Sequence, residues 1–171
     1  MGIDISIHGV SRRDWLANRI YDAKEVTEGD DWMSLKNCLF LEELLTCNSR
    51  ADREVVDHYD HSIVSSLCDV SKPFAVEDME DAVRRLKGLD EAVAKMPFHP
   101  DGLSWMNDDN KAILSLVETV FRDNNRLFVF PWTAKERGWK MGSHLLQDIL
   151  KRAIANARRM PPDTVLFLEM S

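Results

Sequence analysis

Hydrophobic and polar positions alternate at the start of the chain, where Asp4, Ser6 and His8 interleave with Ile3, Ile5 and Ile7 before Gly9. This period of two predicts a half-buried strand ended by a turn. Met1 to Ser6 also fits an N-terminal acylation pattern, but the alternation favours the strand. Ser11-Arg12-Arg13-Asp14 then has the form of a helix N-cap with an acidic residue three positions on, and Trp15, Leu16, Arg19, Ile20 and Ala23 outline a first helix. Glu28-Gly29-Asp30-Asp31 breaks it. Trp32, Leu35, Leu39, Leu41, Leu44 and Leu45 mark a second helix, apolar around most of its circumference.

A third helix is expected between Ala51 and Val70, closed by Ser71-Lys72-Pro73 because proline lacks a donor and restricts its predecessor. Met79, Ala82, Val83, Leu86, Leu89 and Val93 give helical spacing to a fourth, from Val76 to Met96. Pro97 to Gly102 is a loop, and Ile113, Leu114, Leu116, Val117, Val120 and Phe121 outline a fifth helix. The texture changes after Asn125. Two short apolar runs, Leu127 to Phe130 and Thr164 to Leu168, bracket a helix from Met141 to Arg159, which reads as a β-α-β unit. Their near-continuous apolarity predicts cover on both faces, with the opening strand as a third member of the sheet. The expected fold is therefore α+β: a mainly helical single domain over residues 1–171, with five to six helices and about three strands.

Composition supports one core, since 44% of the 171 residues are apolar and five Trp and seven Phe are among them. A net charge of −7, with basic residues confined to short groups such as Arg84-Arg85 and Arg158-Arg159, disfavours nucleic acid as a partner. No leader pattern and no run of ~20 apolar residues is seen, so no membrane insertion and a cytoplasmic location are expected. Cys38, Cys47 and Cys68 show no C-x-x-C spacing and are expected as free, mostly buried thiols.

The densest titratable chemistry lies in Glu54 to His61. On a helix, Glu54, His58, His61, Ser65 and Cys68 fall within an arc of roughly 80°, while Val55, Val56 and Tyr59 gather on another side. Two imidazoles with a carboxylate suit zinc or non-haem iron, so Glu54, Asp57, His58 and His61 are candidate ligands of a metal-dependent hydrolase. Any further ligand would come from His8, His99, His144 or the Asp30-Asp31 pair. The competing reading of this stripe is a solvated polar face. Cys68 and His61 do not make a nucleophile and base, because their axial separation on one helix is roughly 10 Å.

A second constellation, Arg137-Gly138-Trp139-Lys140-Met141-Gly142-Ser143-His144, precedes a helix and could offer backbone N–H groups to an anion. It resembles the acyl-CoA pyrophosphate loop of the GNAT acetyltransferases: Arg137 and Gly142 fit the ends of that pattern, while Lys140 stands where its first glycine belongs. The resemblance is confined to Leu127 to Ser171 and implies an acyl-CoA or nucleotide held by Arg137, Gly138, Lys140 and Gly142. The alternative is a plain turn between strand and helix. Third, His99, Asp101, Trp105 and Trp132 lie in expected loops, where recognition residues concentrate, or else plug gaps in the core. No intact cofactor loop, metal motif or triad emerges. The expected function is thus binding of another protein in an accessory, regulatory or inhibitory role, with a homodimer compatible, and the metal and acyl-CoA readings as alternatives.

Overall fold

The computed structural model describes residues 4–29, 31, 35, 41–60, 69–94 and 136–171, and gives backbone alone for 43, 89, 90, 92–94 and 136–143. In chain order the described elements are β1 (Ile5–Ser11), α1 (Arg12–Leu16), β2 (Lys24–Glu25), α2 (Leu41–Thr46), α3 (Arg53–His58), α4 (Val76–Ala94), α5 (Glu136–Arg158) and β3 (Thr164–Met170). The expected mixture of helices and strands is present. The strands form one antiparallel sheet in the order β2-β1-β3.

β1 runs through Gly9 to Ser11 rather than ending at the glycine, because β3 pairs with it from Ile5↔Met170 to Ser11↔Thr164. Gly9 is instead a place of close approach: a Cβ there would lie 2.8 Å from Thr164 Cγ2 and 2.9 Å from Met160 Cε. The outer edge of β3 is covered by the segment before α4, through Ser71 N–H to Leu168 O (2.9 Å) and Phe74 N–H to Leu166 O (3.0 Å). Ser71 is fully buried, and its Oγ accepts from Leu168 N at 2.8 Å. This hydroxyl fills a gap in the ladder and blunts the sheet edge.

Both faces of β3 are covered, as its continuous apolar run requires. Leu166 and Leu168, with Ile7, pack against Met79, Ala82 and Leu86 of α4 and against Leu146, Ile149, Leu150, Ala153 and Ala157 of α5. These spacings put one stripe of each long helix on the sheet. Val165 and Phe167, with Val10, pack on Trp15 of α1 and Val55 of α3. At about 1.5–3 kcal/mol for each fully buried large apolar side chain, the two layers outweigh any single polar contact in the molecule.

Three further expectations are corrected. The first helix ends at Leu16 instead of Ala23, because Asn18 takes a left-handed backbone (φ 58°) and turns the chain out toward β2. The last helix starts at Glu136 instead of Met141: Gly138 and Gly142 sit inside it, each at a cost of about 1 kcal/mol relative to alanine, which a 23-residue helix packed along α4 absorbs. Cys47 is a free thiol, but exposed, since it lies just past the end of α2. The expected strand at 127–130 and helix after Asn107 lie outside the described residues, as do Cys38 and Cys68.

Candidate functional site

Two short helices, α1 and α3, lie side by side on one face of the sheet and point the same way. Each is started by its own side-chain cap. Ser11 Oγ accepts from Asp14 N at 3.1 Å, and Asp52 Oδ1 accepts from Glu54 N at 2.9 Å. Helices of five and six residues are too short to persist alone, so cross-contacts must hold them.

Three rungs do so. At the N-terminal ends the Arg12 guanidinium pairs with the Glu54 carboxylate and lies 3.5 Å from Asp52. In the middle, Trp15 is fully buried, donates Nε1–H to Val55 O at 3.0 Å, stacks on Tyr59 at a centroid distance of 6.4 Å, and meets the tilted ring of Phe167 at 5.4 Å. At the C-terminal ends His58 Nε2 lies 2.7 Å from Asn18 Oδ1, so the ring donates there. Tyr59 donates its hydroxyl to Val70 O at 3.1 Å, and burial, reinforced by Glu42 and Asp60, pushes its phenol above the ordinary range.

Of the stripe singled out as a ligand set, Glu54 and His58 reach across to the α1 side of the pair, while Asp57 pairs within α3. Glu54 faces Arg12, Asp57 faces Arg53 at 3.2 Å, and His58 faces Asn18. His61 lies outside the described residues. Among the described residues no group of three or more His, Cys, Asp or Glu side chains could hold a metal ion. Of the remaining ligand candidates, His8 lies on β1 beside Glu169, Asp31 pairs with Arg152 at 2.9 Å, and His144 is exposed on α5, while His99 and Asp30 are not described.

The Arg137 to Gly142 segment is not a loop. Its backbone is helical from Glu136, so the N–H groups of Lys140 and Gly142 lie beyond the first turn, where such groups bond carbonyls four residues back, while those of Arg137 and Gly138 lie within it. His99, Asp101, Trp105 and Trp132 lie outside the described residues.

What the α1 and α3 pair presents to solvent was missed in the sequence. Past Asn18 the chain makes a tight loop held by Arg19 N–H to Asp14 O at 2.7 Å, Ala23 N–H to Ile20 O at 3.1 Å, and an Arg19 to Asp14 ion pair at 3.3 Å. Tyr21 stands at its tip, 89% exposed, while Ile20 and Ala23 on either side pack back on Trp15's cluster. A helix assignment across this segment hid the tip; the positive-φ-tolerant Asn18 was the available signal.

At the opposite end of the pair a cleft of about 310 Å³ opens between Arg12, Asp52, Val55, Phe74, Val76 and Val165. Its floor is apolar and its rim carries both signs of charge. Arg50 and Ala75, which line it, are tied together by Asp78: only 5% exposed, this carboxylate accepts from Ala75 N at 2.7 Å and from Arg50 N at 2.9 Å. Burial pushes its carboxyl above the ordinary range, partly opposed by those two backbone donors.

The chain matches no protein-family model, no curated protein and no solved structure. Among the described residues no helix is long and apolar enough to cross a membrane.

Proposed function

We propose that the protein acts by binding another protein through the face built on α1 and α3, with Tyr21 as its anchor. The observation that carries this reading is a large aromatic side chain held 89% exposed on a loop whose backbone is tied down on both sides. A tied backbone spares the cost of ordering the loop on binding, and tyrosine is one of the residues on which interface energy concentrates. Arg19 and Asp22 flank it, so the complementary surface is an apolar or aromatic pocket with a hydrogen-bond acceptor for the hydroxyl and charges of both signs at its rim. The cleft beyond Arg12 offers a second, apolar socket on the same helix pair.

The test is site-specific photo-crosslinking. A benzophenone amino acid is placed at position 21 and, as a control, at the exposed position 84 on α4, in the full chain expressed in its native host. A discrete adduct from position 21 that is absent from position 84 is the expected result. No adduct, or the same adducts from both positions, would contradict it.

A further inference from the structure

Antiparallel register makes Ser6 the partner of Glu169 and His8 the partner of Phe167, so these four side chains share one face of the sheet with Val10 and Val165. The half of that face under Trp15 and Val55 is apolar and buried. The other half is polar. There Ser6 Oγ lies 3.3 Å from His8 Nδ1, and His8 Nε2 lies 3.3 Å from Glu169 Oε2. The imidazole is 15% exposed and lies over the Phe167 ring, 6.1 Å between centroids and 20° between planes. It is thus held on one side by an aromatic ring and oriented by a carboxylate, while its free nitrogen faces a hydroxyl.

From this geometry we infer that Ser6, His8 and Glu169 form a hydrolytic site for small carboxylic esters, independent of the recognition face. Glu169 accepts the Nε2 proton, which leaves the Nδ1 lone pair toward the Ser6 hydroxyl. The two ring nitrogens exchange the places they hold in the familiar serine hydrolases, but a nucleophile, a base and an orienting carboxylate are recognised by role and contact rather than by ring direction. Ser6 Oγ attacks the ester carbonyl carbon as its proton passes to Nδ1. The tetrahedral adduct expels the alcohol, which takes that proton from Nδ1, and leaves Ser6 acylated. Water then attacks the acyl carbon, giving its proton to Nδ1 and thence back to Ser6 Oγ, and the carboxylic acid departs. Ser6 and His8 are the catalytic residues, and Glu169 is a positioning residue.

The experiment treats the full chain with a fluorophosphonate and locates the adduct by mass spectrometry, alongside turnover of p-nitrophenyl acetate. The expected result is one phosphonyl adduct on Ser6, with labelling and turnover slowed ~100-fold or more in His8→Gln. Glu169 on β3 is the carboxylate in contact with His8, and Glu25 on β2 is the register partner of His8. Glu169→Gln removes that contact and is expected to lower kcat for p-nitrophenyl acetate with KM unchanged, a split that a purely structural role would not produce. Ser6→Cys, which keeps the size of the side chain, should alkylate with iodoacetamide at a rate that again depends on His8, even if Ser6→Ala does not fold. Absence of an adduct from the folded chain, an adduct only elsewhere, or a Ser6 rate indifferent to His8→Gln would overturn the proposal.

Discussion

His58 Nε2 and Asn18 Oδ1 lie 2.7 Å apart, and that contact joins the last residue of α3 to the left-handed residue that ends α1. Asn18 serves twice, since its short polar side chain both tolerates φ 58° and accepts from the imidazole. Asn18→Gly removes only the acceptor, while Asn18→Ala also forces a Cβ-bearing residue without local hydrogen bonding into that conformation. Denaturant unfolding is expected to rank Asn18→Ala about 1 kcal/mol below Asn18→Gly. The reverse order would show that the backbone here is not strained for alanine.

Gly9 sits where β1 meets Thr164 and Met160. A Cβ at 2.8 Å from Thr164 Cγ2 and 2.9 Å from Met160 Cε must push both aside, and one of them belongs to the paired strand. Gly9→Ala is expected to lower stability by about 1–3 kcal/mol, read as a lower denaturant midpoint at unchanged slope.

Ser71 Oγ is the acceptor for Leu168 N–H in the middle of the covered sheet edge. Removing it leaves a buried donor without a partner. Ser71→Ala should cost about 1–3 kcal/mol, and amide exchange at Leu168 should accelerate more than at its neighbours on β3. Uniform acceleration along the strand would instead mean that the edge segment as a whole had been lost.

Asp78 provides a pH dependence of unusual sign. Its folded-state carboxyl is raised above the ordinary value by burial, so between the unfolded and folded pKa values the folded state holds more protons than the unfolded one. Stability from this site therefore grows as pH falls through the folded pKa, is complete below the unfolded value, and is lost as pH rises. Measured against Asp78→Asn at each pH, the native chain should gain relative stability between pH 7 and pH 4. A relative loss over that interval would mean that the two backbone donors outweigh desolvation.

Much of the fold was legible in the sequence. Alternation in Ile5 to His8 and the apolar run at Thr164 to Leu168 located β1 and β3, and helical spacing located α4 and most of α5. The Ser11 cap was found because capping is local chemistry, written within four residues. What escaped depends on contacts distant in sequence. Lys24 and Glu25 become a strand only because β1 lies beside them, and helical phase alone could not reveal that Glu54 and His58 answer to Arg12 and Asn18, some forty residues earlier. Gly138 and Gly142 misled in the other direction, since packing along α4 overrides their poor helix propensity. The Ser6, His8 and Glu169 line joins the two ends of the chain and becomes visible only through strand register.

The proposed recognition role rests on Tyr21, and truncation of that side chain tests it most directly. Against the partner captured at position 21, Tyr21→Ala is expected to weaken binding by ~30-fold or more, equivalent to about 2 kcal/mol, with the unfolding midpoint unchanged because the side chain is 89% exposed. Tyr21→Phe, which keeps the ring, should retain most of the affinity. Binding by Tyr21→Ala as tight as that of the native chain would contradict the account.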